Sequence, residues 1–161
     1  MLIQEMAVEE CWTALRGATF GRLACANDNQ PYVIPFYFSV EGSDVYSFSL
    51  PGQKLDWMRG NPRVCLEIDH VLSRNEWTSV IAIGRYEELP DTQDYQQERI
   101  HAHELLLQNH TMWWQPGAIT VASNKGKQGF VPVFYRIQIA NVTGYRGVPA
   151  PEENSRQTRA D

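Results

Sequence analysis

Residues 32–40 and 45–49 are two runs of aromatic and β-branched side chains, and only Glu41, Gly42, Ser43 and Asp44 stand between them. A connection that short joins antiparallel neighbours, because a parallel pair needs a crossover of a dozen or more residues. The same reading applies upstream, where residues 20–26 form a strand-like run and Asn27-Asp28-Asn29-Gln30-Pro31 is dense in turn formers. The run at 32–40 carries so few polar groups that it reads as a strand buried on both faces.

Further along, Val64, Leu66 and Ile68 alternate with Cys65, Glu67 and Asp69, which predicts a strand with one face in a core. Residues 77–88 form a longer strand, with Gly84 where another backbone approaches closely or a bulge forms. Val133, Tyr135, Ile137 and Ile139 set the inward face of a closing strand. Helices are fewer. Val8, Cys11, Trp12 and Leu15 share one face of a helix that stops at Gly17, residues 51–59 form a short helix ended by Gly60-Asn61-Pro62, and residues 92–108 have a surface helix's composition. The strict βαβ alternation of a parallel sheet is absent. The expected fold is mainly β: a six-stranded antiparallel barrel with flanking helices, over residues 1–148, with a polar, disordered tail at 149–161.

Composition removes several classes of function. The net charge is −5, which argues against a nucleic-acid-binding face, and no apolar run approaches the ~20 residues of a membrane span. Cys11, Cys25 and Cys65 are an odd number without metal-type spacing, so they read as buried thiols in a reducing compartment. The first residues lack the basic flank and long apolar core of a secretory signal. A cytoplasmic location is the expectation.

The chemistry concentrates at Ser47-Phe48-Ser49-Leu50-Pro51-Gly52-Gln53-Lys54. A strand ends in hydroxyl residues, a Pro-Gly turn follows, and a helix opens with Lys54 in its first turn. Free N–H groups at a helix start attract an anion, most often a phosphate, and a lysine there opposes the helix dipole unless an anion intervenes. The plainer alternative is a solvated lysine on an ordinary helix. His101 and His103 face different directions, and His103 and His110 share a face without carboxylate or cysteine partners, so no metal site is expected. Trp113 and Trp114 are adjacent in an aperiodic stretch at 109–128 and suit a lid over a pocket or interface; Lys125 and Lys127 add a second anion contact or a solvated turn.

Five motifs in one order carry a resemblance: Gly21-Arg22-Leu23-Ala24, Pro31-Tyr32-Val33-Ile34-Pro35, Pro51-Gly52-Gln53-Lys54-Leu55, Asn61-Pro62-Arg63-Val64-Cys65, and Trp77-Thr78-Ser79-Val80 followed by Gly84. The series resembles the pyridoxamine 5'-phosphate oxidase-like FMN-binding split barrels, and most closely their nitroimidazole-resistance branch. The resemblance implies a homodimer with FMN at the interface. By position it assigns the phosphate to Lys54, with Gln53 where an arginine often assists. It assigns the ring to Val33, Ile34, Pro35 and Phe36, and further cofactor contacts to Ser47, Phe48, Ser49, Thr78 and Ser79. Nitroimidazole-resistance proteins often carry a histidine six residues before the lysine; this chain has Phe48 there, which transfers no proton. The implied activity is electron transfer from a reduced nicotinamide to a small organic acceptor. The alternative is a non-catalytic flavin carrier or stress sensor, or a haem protein using one of His70, His101, His103 or His110.

Overall fold

Asp28 and Asn29 both lie at positive φ, 47° and 63°, and close a two-residue hairpin between β2 (Phe20–Asn27) and β3 (Gln30–Tyr37). Two consecutive left-handed residues match the right-handed twist of the strands they join. Gly42, at φ 59°, turns β4 (Ser39–Glu41) back into β5 (Asp44–Ser49). These positions come from a computed structural model, which describes residues 1–108, 120–122, 125–128 and 131–150, the two shortest stretches by backbone alone.

The remaining elements are β1 (Leu2–Glu5), α1 (Val8–Gly17), α2 (Gln53–Gly60), β6 (Arg63–Ser73), β7 (Glu76–Leu89), a 3-10 turn at Gln93–Tyr95, α3 (Gln96–Leu107), β8 (Thr120–Ala122), β9 (Lys125–Gln128) and β10 (Val133–Val148). One sheet runs β3-β2-β6-β7-β10-β5-β4, every pair antiparallel, with β1 added beside β10. The two ends of that order, β3 and β4, are consecutive in the chain and separated only by buried Phe38. A sheet whose first and last strands share one bend must curl on itself, and the result is a barrel. The 16 residues of β10 make this possible, since one edge serves β7 while the other serves β5 along its first half and β1 along its second.

The main sheet therefore has eight strands, where six were expected. One of the two extra strands arises because the run at 32–40 breaks at Phe38, where the chain leaves β2 and pairs with β5 instead. The other is β1, exposed along its length and without the alternation that would mark a strand in sequence. The run at 32–40 also differs in burial. Val33 is 59% exposed and Pro35 is exposed, because one face of β3 is covered by nothing in the single chain. Part of the stretch read as a loop at 109–128 is a hairpin of β8 and β9. Trp113, Trp114 and residues 151–161 lie outside the described residues.

Cys11 and Leu15 drive α1 into the barrel mouth, where they join Leu23, Leu66, Val80 and Val142 in the main core. Arg146 on β10 holds the start of α1 through Glu10, at 2.7 Å. Leu55 and Met58 seat α2 on the same core. A smaller core lies under α3, where Ala102 and Leu106 meet Tyr37, Tyr46, Phe48, Leu89 and Phe134. The hydroxyls of Tyr37 and Ser39 donate to the carbonyls of Leu106 and Leu105, at 2.9 and 3.1 Å, capping the last turn of α3.

Candidate functional site

The end of β5 and the start of α2 form one wall of an open cleft, and the end of β3 forms the other. Pro35, Phe36, Tyr37, Phe48, Ser49, Leu50 and Lys54 line it, around a volume of about 280 Å³. That lies just under the ~300 Å³ at which small-molecule sites usually begin, so the single chain supplies a half-open site. Its walls are mostly apolar. Phe48 packs against Phe134 with ring centroids 5.7 Å apart, which fixes it as a rigid wall between the cleft and the smaller core.

Lys54 is the charged group of the cleft. It is half-buried, and among the described residues no carboxylate lies within ion-pair distance. Burial pulls its pKa below the ordinary lysine value, with the neighbouring Cys25 thiol acting weakly the other way. Gly52, the N-cap residue of α2, offers no side-chain cap, and its carbonyl is spent on the amides of Leu55 and Asp56. The first amides of the helix are left for a ligand. An uncompensated cation beside an uncapped helix start is an anion site, and its walls suit a flat ring attached to that anion. The residues present fit the phosphate and ring of a flavin nucleotide.

The eleven positions singled out from the sequence do not all meet here. Pro35, Phe36, Phe48, Ser49 and Lys54 line the cleft. Val33 and Ile34 share β3 with Pro35 but stand further along it. Ser47 is buried behind the wall, its Oγ donating to the Tyr37 carbonyl at 2.6 Å, and Ser49 Oγ donates to the Leu50 carbonyl at 3.0 Å. Gln53 points to solvent. Thr78 lies elsewhere, in a second cleft of about 560 Å³ with Thr13, Asp69 and His70 at the foot of α1, and Ser79 follows it on β7. Tyr37 and Leu50 were missed, Tyr37 because a tyrosine ending a strand gives no sign that it faces a cleft. Of the histidines, His101 pairs with Glu41 at 2.6 Å and His103 stands edge-on to Phe134. Cys65 is half-buried, where the sequence suggested full burial, because it faces outward from β6.

An antiparallel barrel wound in this order, with an anion site where β5 meets α2, defines a split barrel of the pyridoxamine 5'-phosphate oxidase type. The sequence profile of that family, described as pyridoxamine 5'-phosphate oxidase, matches residues 7–146, and the chain belongs to it. It is 40% identical over 144 residues to the uncharacterised protein RA0666 of Rhizobium meliloti (strain 1021), covering 89% of this chain and 95% of that one. The crystal structure of an FAD-binding protein (mll6688) from Mesorhizobium loti is 42% identical, covering 91% of this chain and 99% of that one, with a TM-score of 0.75. A Bacteroides thetaiotaomicron VPI-5482 structure named for 5-nitroimidazole antibiotic resistance shares the fold at 18% identity and a TM-score of 0.63, covering 91% and 89% of the two chains.

Proposed function

We propose that the chain binds a flavin nucleotide, FMN in the first reading, with its phosphate at Lys54 and the α2 amides. In this reading it passes electrons from a reduced nicotinamide to a small organic acceptor. The observation that carries the reading is Lys54 itself, a half-buried cation with no carboxylate beside it among the described residues, at an uncapped helix start in a chain of this family. When bound, a flavin would supply two-electron redox chemistry that no side chain of the cleft provides. Lys54 and the α2 amides hold the phosphate, while Phe36, Phe48 and Leu50 keep water from one side of the ring. Over a full turnover the nicotinamide loses a hydride and the acceptor gains that hydride and one proton from water. Among the described side chains lining the cleft, the Ser49 hydroxyl donates to the Leu50 carbonyl and the Tyr37 hydroxyl to the Leu106 carbonyl, and Lys54 is assigned to the phosphate, so the proton comes from water.

Homodimerisation completes the site in this reading. The outer face of the sheet carries cross-strand rows of side chains, Val33–Ala24–Cys65–Ile83 and Pro35–Arg22–Glu67–Ile81, followed by Ser79 beside Tyr145. Val33, Ile81, Ile83 and Tyr145 are 59%, 41%, 51% and 51% exposed. The exposed apolar side chains around the Arg22–Glu67 pair suit association with a second copy, and pairing two copies brings Ser79, with Thr78 next to it in the chain, toward the flavin of the other. The protein works in the cytoplasm, where its three unpaired thiols persist.

A second reading, FAD, rests on the name of the Mesorhizobium loti relative. Chromatography and mass of the chromophore released from purified protein separate FMN from FAD. Consumption of reduced nicotinamide with a quinone or nitro acceptor separates an oxidoreductase from a carrier. A protein that carries no flavin and takes up none defeats the reading.

A further inference from the structure

The chain has three lysines, Lys54, Lys125 and Lys127, and Lys54 stands in surroundings that disfavour its charge. It is the second residue of α2, where the helix dipole is positive. It is half-buried among the apolar walls of the cleft, and among the described residues no carboxylate pairs with it. Asp56, two residues on, is taken by Arg59 at 3.3 Å. The neighbouring Cys25 thiol is pushed up by burial and stays neutral, so it does not supply the missing negative charge. Burial and the dipole act together, and the Lys54 amine gives up its proton more readily than a lysine in water.

An uncharged primary amine is a nucleophile, and lysines desolvated by apolar walls are the ones that condense with carbonyl compounds. The cleft suits such a reaction. Phe36, Phe48 and Leu50 give it an apolar wall, and Phe134 packs behind Phe48. A Cβ at Gly52 would meet nothing within 4 Å, so the start of α2 is open to approach. Among the described side chains lining the cleft, Ser49 and Tyr37 spend their hydroxyl protons on the carbonyls of Leu50 and Leu106, which leaves the amine as the nucleophile. A volume of about 280 Å³ admits a small ring compound and little more.

We propose that Lys54 is a covalent capture site for aromatic aldehydes, its Nζ condensing with the aldehyde carbon to an imine while the ring takes the wall of Phe36, Phe48 and Leu50. The site operates in the flavin-free chain and does not rest on the flavin reading; an aldehyde and a flavin phosphate claim the same amine, so each excludes the other. The Nζ lone pair attacks the carbonyl carbon, the two hydrogens of Nζ pass through solvent to the carbonyl oxygen, and that oxygen leaves as water. Nothing is oxidised or reduced, and hydrolysis reverses the step. The apolar wall keeps water from the new C=N bond, and the neutral imine removes a cation from the helix start.

The test treats the full chain, free of flavin, with benzaldehyde and sodium cyanoborohydride, which reduces the imine to a stable secondary amine, and maps the label by peptide mass. The proposal predicts that Lys54 labels several-fold faster than Lys125, Lys127 or the Met1 amine, and that this preference is several-fold weaker with acetaldehyde, which has no ring for the wall. Lys54→Arg keeps the charge and loses the label, and circular dichroism checks its fold. Labelling spread evenly over these amines overturns the capture site, and a preference for Lys54 that is equal for the two aldehydes overturns the aromatic class. Addition of FMN separates the two readings. Lys54 that labels fast and is protected by FMN supports both. Protein that binds FMN but labels Lys54 no faster than the other amines overturns the capture site alone, and fast labelling of Lys54 in protein that takes up no flavin supports capture and defeats the flavin reading.

Discussion

Gly84→Ala places a methyl group between the two longest strands of the barrel. An added Cβ would stand 2.6 Å from the Gln138 carbonyl oxygen and 2.8 Å from Ile137 Cγ2, where ordinary contact is ~3.5–4.0 Å. Neither neighbour is free to yield. Gln138 O is backbone in the β7–β10 ladder, and Ile137 is fully buried in the main core. Separating the strands by about 1 Å adds an overpacking cost of about 1–3 kcal/mol to weakened ladder hydrogen bonds worth about 1 kcal/mol each. The expected loss is about 2–4 kcal/mol, or roughly 5–15 °C in Tm for a chain of this size. Urea unfolding measures it as a lower midpoint at unchanged slope. Gly17→Ala is the control of opposite sign: no atom lies within 4 Å of its Cβ, and alanine in a helix gains up to about 0.5–1 kcal/mol. A Gly84→Ala midpoint within 0.5 kcal/mol of wild type, on the scale that separates ordinary surface substitutions, would refute the close approach.

Lys54→Met leaves the flavin-free protein as stable as wild type or more so near neutral pH. Because the folded pKa of Lys54 is depressed, the unfolded chain holds that proton more tightly, and wild type gains stability as pH rises through the depressed value up to the ordinary lysine range; the gain is absent in Lys54→Met. Glu88 behaves in the opposite range. Arg59 holds its carboxyl below the usual carboxylate value, so its contribution is complete above that value and is lost as pH falls through the depressed one. Arg59→Ala therefore destabilises by about 1 kcal/mol at pH 7, with the difference from wild type shrinking in acid-denaturation curves. Ile83→Asp sets a charge in the middle of the exposed sheet face, and sedimentation should show it converting a dimer to a monomer without loss of secondary structure.

Local rules made the hairpins and helices readable. Asp28-Asn29 and Gly42 adopt the left-handed geometry their residue types favour, and α1 buries Cys11 and Leu15 from the face that the spacing marked. The bend at Phe38 was not readable, since a long apolar run looks the same whether it stays with one partner or changes to another. β1 was hidden because its pairing with β10 depends on chain 140 residues away and buries no side chain. At the site, Lys54 was legible from the helix-start pattern. Thr78 and Ser79 were placed beside it by resemblance, and in one chain Thr78 lines another cleft while Ser79 stands across from Tyr145 on the neighbouring strand. Spacing along a strand says which face a residue takes and nothing about which copy's ligand it meets. Tyr135 was legible as a core residue from the alternation along residues 133–139, and it is fully buried.

The most direct test of the account is calorimetric titration of flavin-free protein with FMN and with riboflavin, which lacks the phosphate, in wild type and Lys54→Met. Charge-assisted bonds of about 1.5–3 kcal/mol predict that wild type prefers FMN roughly 10–150-fold and that Lys54→Met loses most of this preference while still binding riboflavin. Equal affinity for the two ligands in wild type, or a preference that survives Lys54→Met, would contradict the assignment of the phosphate to Lys54 and the start of α2.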